Sequence, residues 1–318
     1  MVSACICTAS NAGYFALALG LFNSIREKAP RPVPICVLDI GLTDRQVRLL
    51  EALDCTVAKP GWDLPELPEA ALPQWFRAMT SRPFLPRHFP GYDIYSWIDC
   101  DAWVQDWAQI EQLWAGAADG AIAIVREADH GIVDFTIPTP GGPRRIHYDA
   151  QGLAGVVASS YRIAFGEAIA ARYGAQPSFN TGVFALRGTS PSWSIWATQY
   201  GEGLTAVRDR LAQGQLTQVE RCIEQFSLTL AIDQGRIPVN PMPDTLNWQF
   251  HRGLPEYDPA AAMFVTPITH QPIGVVHLVD LKFLPMLPIR HINDGVVRPT
   301  PSQHIAHLAR FHTGPGGA

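Results

Sequence analysis

The sequence predicts an α/β fold, a mixed but mostly parallel sheet with helices on both faces. Three observations carry this. Short apolar runs at residues 4–9, 34–40 and 55–58 have the length of buried strands. Stretches with helical spacing of apolar residues lie between them, at 14–28 and 44–53. Strands that alternate with helices pair in parallel, because each crossover returns the chain to the same end of the sheet. The chain has 318 residues, 47% of them hydrophobic and 17% charged, enough apolar material for one large core and too much for a disordered chain.

The elements follow in order. Residues 4–9 form a strand that runs into the turn Ser10-Asn11-Ala12-Gly13. A helix spans 14–28, and the prolines between 30 and 34 stop it. The second strand, 34–40, leads through Gly41 to a helix over 44–53, with Thr43 placed to cap it. A third strand covers 55–58. Residues 60–91 are rich in Pro and Trp, with a short helix at 74–79. Strands are expected at 92–98 and 121–125, and a loop-rich insertion at 129–160, where Gly, Pro and Ser accumulate. Residues 161–173 have helical spacing, 178–182 read as a turn, and 183–186 as a strand. Residues 204–231 read as two helices broken near Gly214, and 274–278 as a late strand. We take 1–290 as one domain and 291–318 as a C-terminal extension, its tail from 301 frayed.

Composition narrows the function classes. Net charge is −5 and there is no long Lys/Arg run, which excludes a nucleic-acid surface and a polybasic membrane patch. Cys5, Cys7, Cys36, Cys55, Cys100 and Cys222 contain no Cys-x-x-Cys, and several sit in apolar runs, so they read as buried free thiols in a reducing compartment. No apolar run is long enough to span a bilayer and no basic leader precedes one. The expectation is a cytoplasmic protein whose only membrane contact is peripheral.

Four features carry chemistry. The apolar run Ile94-Tyr95-Ser96-Trp97-Ile98 ends in Asp99-Cys100-Asp101, which puts two carboxylates at the carboxyl edge of a parallel sheet, where α/β proteins bind ligands. Alternate residues point the same way, and paired carboxylate oxygens suit Mn²⁺ or Mg²⁺. A lone Asp-x-Asp is more often a solvated turn, so the preceding strand is what gives this one weight. The second feature is Asn180-Thr181-Gly182, where an amide meets a backbone that a ligand can approach. The third is His277, a candidate third ligand beside the two carboxylates, with Lys282 following as a phosphate-directed charge. The fourth is Glu224-Gln225 within a helical stretch. Standing alone, each of these last three has a bland alternative: a turn, a core histidine, an exposed helix face.

Taken in order, these residues resemble the nucleotide-sugar glycosyltransferases of the GT-A (Rossmann-like) fold, especially the family 8 group. The resemblance runs from about residue 4 to 283. It includes Thr8-Ala9-Ser10-Asn11, Trp97-Ile98-Asp99-Cys100-Asp101, Asn180-Thr181-Gly182, Glu224-Gln225 and Val275-Val276-His277. It implies that Asp99, Asp101 and His277 hold Mn²⁺ (or Mg²⁺) on a UDP-sugar donor. It further implies that Thr8, Ala9 and Asn11 hold the nucleotide, with Cys100, Gly182 and Lys282 also lining the donor site. Asn180 is expected to touch the donor sugar, and Gln225 with Glu224 to lie near the anomeric carbon. A basic residue before the Asp-x-Asp corresponds to Arg77 or Arg82. Two departures stand out: Glu224 replaces the usual Asp, and Lys282 comes one residue early after His277, without the usual Gly and Pro-Trp.

The function so implied is transfer of a hexose, with retention, to a sugar, lipid-linked or protein acceptor. Two rivals remain: a nucleotidyltransferase, which would want a basic Gly-rich loop after the first strand, and a non-catalytic nucleotide-sugar-binding protein of the same fold.

Overall fold

A computed structural model describes residues 2–64, 67, 71–138, 141–282, 284 and 286–301, without the side chains of 150–154. The expected tail lies outside the described residues beyond 301.

The N-terminal half alternates as its periodicity predicts. The order is β1 (Ala4–Ser10), α1 (Phe15–Lys28), β2 (Ile35–Asp39), α2 (Asp44–Ala52) and β3 (Cys55–Ala58). Thr43 and Gln46 form a reciprocal capping box at the start of α2: the Gln46 amide N–H donates to the Thr43 hydroxyl at 3.3 Å, and the Thr43 amide N–H to the Gln46 side chain at 2.9 Å. Thr43→Ala is expected to lower unfolding free energy by about 1 kcal/mol, checked by urea denaturation. After the short helices α3 (Arg77–Ser81) and α4 (Leu85–His88) come β4 (Ile94–Ile98), β5 (Ala102–Val104), α5 (Trp107–Ala117) and β6 (Ile122–Arg126).

The loop-rich insertion expected at 129–160 is largely regular. It contains a hairpin, β7 (Val133–Ile137) with β8 (Arg144–Tyr148), and most of α6 (Ala150–Phe165). The small residues at the start of α6 disguise a helix, because tertiary packing overrides their poor propensity: Val157 and Tyr161 bury against Phe226 and Leu230. Gly166, at φ 89°, separates α6 from α7 (Glu167–Tyr173), so the stretch at 161–173 is split.

The turn expected at 178–182 is instead the first half of β9 (Phe179–Arg187). Its polar residues look out of place in a strand only because Asn180 faces a cavity and Thr181 is bonded to the buried Glu224 and Arg82. Next come α8 (Ser192–Ala206), α9 (Arg208–Ala212) and α10 (Gln218–Asp233). The break at Gly214 is present, at φ 71°, with a further break at Val207. Last are β10 (Val239–Met242), β11 (Trp248–Gln249), β12 (Glu256–Asp258), β13 (Met263–Val265), β14 (Val275–His277), β15 (Met286–His291) and β16 (Val297–Pro301). Position 290 lies within β15, which pairs with β12 and β16.

The main sheet has the order β10-β6-β9-β4-β1-β2-β3. Every pairing in it is parallel except those of β9, which is antiparallel to β4 and β6. One face packs Cys7, Tyr95, Trp97 and Phe184 against α8 and α10. The other packs Ile6, Ile98 and Val183 against α1 and α5. The fold is thus an α/β sandwich with a mostly parallel sheet, as expected. A small sheet, β11-β14-β5, sits beyond the end of β4 and carries His277 to Asp101, since His277 pairs with Ala102.

Candidate active site

Asp99 and Asp101 follow β4 directly, and His277 ends β14. Their three ligand-type atoms lie within 4.8 Å of one another. Each side chain is held by one atom and presents another. Asp99 Oδ1 accepts from Arg82 at 2.5 Å and from the Trp97 indole N–H at 2.7 Å, leaving Oδ2 facing His277 Nε2 at 3.7 Å. Asp101 Oδ2 lies 3.1 Å from the Lys282 ammonium, and its Oδ1 faces the same Nε2 at 3.4 Å.

The histidine tautomer follows from a chain of bonds that begins at the backbone. The Gly182 amide N–H donates to Asn180 Oδ1 at 2.9 Å, so that atom is the acceptor. Asn247 meets the same oxygen at 2.8 Å and therefore presents its NH₂ there. Its own oxygen must then face His277 Nδ1, at 2.8 Å, and Nδ1 carries the proton. In the neutral ring the Nε2 lone pair is left for the cluster. Burial would lower the His277 pKa, but the hydrogen bond to Asp101 and the charges of Asp101 and Asp99 override it, and the net direction is up.

This donor set fits a hard divalent cation. With ligands about 2.1 Å from an octahedral Mg²⁺, neighbouring donor atoms stand about 3 Å apart, close to the separations seen. The space is kept open by Gly182: a Cβ there would come within 2.5 Å of His277 Cε1 and 2.9 Å of Asp99 Oδ2. Asn247 was not visible in the sequence reading, yet it orients the imidazole. Asn247→Ala is expected to weaken Mn²⁺ binding about 10- to 100-fold in an electron-paramagnetic-resonance titration; unchanged affinity would remove that role.

Two cavities meet at the carboxylates. One, of about 480 Å³, is lined by Ala9, Asn11, Tyr14, Trp75, Arg82 and Arg221, among others. The second, of about 700 Å³, includes Glu127, Ser178, Asn180, Gln225, Arg252 and Lys282. Asp99 and Asp101 line both. Cys100 reaches the first cavity, although its thiol packs into the apolar cluster on the α1 side and burial pushes its pKa well up. Asn11 Oδ1 is occupied by the amide N–H groups of Gly13 and Tyr14, at the start of α1.

Not every expected residue arrives. Thr8 is fully buried, lines neither cavity, and its hydroxyl has no hydrogen-bond partner among the described residues. Arg77 stacks on Trp62 at 4.8 Å, so of the two arginines it is Arg82 that meets the carboxylates. Gln225 faces the second cavity, but its neighbour Glu224 does not. Glu224 is buried beneath, bonded to Arg82 at 2.8 Å and to the Thr181 hydroxyl at 2.9 Å. Arg82 also lies over the Trp97 ring, 4.7 Å from its centroid.

Burial pushes the Glu224 carboxyl up to about 7 from 4.5, against the pull of Arg82 and Thr181. The folded chain therefore holds this proton more tightly than the unfolded chain. The resulting stability is fully present below pH 4.5 and is lost as pH rises through 7. Glu224→Gln is expected to lose less stability than wild type between about pH 5 and pH 8, as measured by urea unfolding.

Glu127 was missed, though it carried a signal. Glu127-Ala128-Asp129 follows β6 as Asp99-Cys100-Asp101 follows β4. One Glu127 oxygen accepts from Asn180 at 2.9 Å and Gln225 at 3.3 Å, the other from Ser178 and Arg252, both at 2.6 Å. Asn247 had no signal, and Arg252 had none beyond the aromatic composition of 248–257; each ends a short 3-10 turn after β10.

No protein-family model matches this sequence, and no curated protein does. Solved structures do. Galactosyltransferase LgtC, in complex with donor and acceptor sugar analogs, is similar over 86% of this chain and 86% of its own, at 14% identity and a TM-score of 0.49. The bifunctional glycosyltransferase WbbM aligns with 87% of this chain and 45% of its own, at 13% identity and 0.47. Mouse xyloside xylosyltransferase 1 covers 87% and 97%, at 12% and 0.45. All three are glycosyltransferases, but likeness at this level carries no argument about activity. Among the described residues, no helix is long and apolar enough to cross a membrane.

Proposed function

We propose that this protein is a metal-dependent glycosyltransferase that moves a hexose from a UDP-sugar, with retention, to a sugar, lipid-linked or protein acceptor. The observation that carries this reading is the meeting of Asp99, Asp101 and His277 where two cavities join. A donor can lie across that junction, its nucleotide in the smaller cavity beside Ala9, Tyr14 and Trp75 and its sugar in the larger beside Asn180 and Gln225. The order of the same motifs along the sequence supports it further.

Mn²⁺ or Mg²⁺ bound there would supply Lewis acidity toward a departing diphosphate. The chain does the rest. Arg82 and Trp97 fix Asp99, and Lys282 fixes Asp101 while standing as a point charge at the rim of the sugar cavity. Asn180 and Gln225, both tied to Glu127, form a wall that is fixed before the sugar arrives, so little reorganisation is needed as charge develops at the anomeric carbon. The Gln225 oxygen accepts from the Asn180 amide and the Thr181 backbone N–H, so Gln225 braces Asn180 beside the sugar.

The test is a panel of nucleotide sugars incubated with the protein and Mn²⁺, read by release of nucleoside diphosphate. Release of UDP from a UDP-hexose is expected. No release from any donor, with the protein folded, would refute catalysis and leave a binding protein.

A further inference from the structure

Three thiols meet in the sheet beside β4, where Cys7 lies opposite Trp97, and take no part in the carboxylate–histidine cluster. Cys5 and Cys7 alternate on β1 and so share one face of the sheet, and Cys36 lies opposite Cys7 on the neighbouring strand β2. Cys5, Cys7 and Cys36 are each fully buried. The Cys5 and Cys7 sulfurs are 3.7 Å apart, and all three sulfurs lie within 4.8 Å of one another. They are not linked in disulfides.

We propose that Cys5, Cys7 and Cys36 form a three-thiolate site for a soft divalent d¹⁰ cation of the Zn²⁺ class, independent of the carboxylate–histidine site. The spacing fits. With metal–sulfur bonds near 2.3 Å, three sulfurs around one trigonal ion stand about 4 Å apart. The donor chemistry also sorts the two sites by metal: three sulfurs favour a soft ion, two carboxylates and an imidazole a harder one. Charge selects the valence. Among the described residues no cationic side chain is bonded to these sulfurs. Three thiolates on a divalent ion leave one net negative charge in the buried site, whereas a monovalent ion would leave two. Binding is balanced by release of three thiol protons: M²⁺ and three Cys–SH give a tris-thiolate anion and three H⁺.

Because the cluster is enclosed, the ion enters as the chain folds, and its binding free energy becomes folding free energy. The direct test is X-ray absorption on wild-type protein produced with Zn²⁺ under reducing conditions and washed with chelator, which strips the cavity-facing carboxylate site. One retained zinc with three sulfur neighbours is expected. Protein that retains no zinc, or zinc with only oxygen and nitrogen neighbours, overturns the proposal. Cys7→Ala should reduce the sulfur count to two or lose the metal, and Asp101→Asn should leave it at three. Refolding wild type with Cd²⁺ gives a second readout that needs no variant: a thiolate-to-cadmium charge-transfer band that saturates at one equivalent. Its absence also overturns the assignment.

Discussion

Replacing Asp101 with alanine is expected to reduce Mn²⁺-dependent release of nucleoside diphosphate by at least about 10³-fold. A metal acting on a leaving phosphate contributes several kcal/mol, and about 4 kcal/mol corresponds to about 10³ in rate. The site has no substitute for this carboxylate. Asp99 is held by Arg82 and Trp97 and presents a single oxygen, and no other acidic side chain among the described residues completes the cluster with His277. The loss has a second consequence. The Lys282 ammonium and the His277 ring, both largely buried, would lose the group that raises their pKa values, so His277 should turn neutral at lower pH. Donor turnover should therefore be measured beside circular dichroism and a Mn²⁺ titration. A folded variant with full turnover would sink the assignment of Asp101.

Arg82→Met is expected to lower the free energy of unfolding by up to about 3–5 kcal/mol well above pH 7, where the buried Glu224 must ionise without its cation, and by less near pH 7, where the Glu224 carboxyl keeps its proton. Arg82 joins two parts of the chain: one guanidinium nitrogen meets Glu224 on α10, the other meets Asp99 after β4. Both side chains of the Arg82–Glu224 pair are almost wholly enclosed, with 9% and 2% exposure, so water cannot screen what is lost. A second substitution separates the two roles. Adding Glu224→Leu removes the orphaned charge and should restore most of the stability, since an apolar pair of similar volume commonly replaces a buried ion pair at little cost. It should not restore Mn²⁺ affinity, because Asp99 would still be held by Trp97 alone. Recovery of both would show that Arg82 acts only through stability.

The sequence made some of this legible and hid the rest for physical reasons. The run from β1 to β3 was readable because its strands are continuously apolar, its helices keep their period and Thr43 caps α2. The carboxylates were readable because a buried strand ends on them. Asn180-Thr181-Gly182 was read as a turn because composition cannot distinguish a loop from a strand whose polar side chains meet a cavity on one face and a buried ion pair on the other. The hairpin and α6 were hidden by Gly, Pro and Ser, whose penalties are offset by packing: α6 on α10, and the hairpin through Val133 and Ile146 against Trp103, Trp248 and Phe250. Glu127 carried the same strand-end signature as Asp99 and was passed over. Asn247 and Arg252 carried no comparable signature: they end short 3-10 turns, and only the tertiary course brings them to His277 and Glu127. The pairing of Glu224 with Arg82, rather than with the cavity, was likewise invisible, since neighbouring residues on a helix point in different directions.

The central claim is that Asp99, Asp101 and His277 hold one divalent cation that in turn holds a nucleoside diphosphate. Calorimetric titration of the wild-type protein with UDP, with and without Mn²⁺, tests it most directly. The account predicts tight binding only when Mn²⁺ is present, and loss of that dependence in Asp101→Ala. UDP binding of equal strength with and without the metal would contradict it.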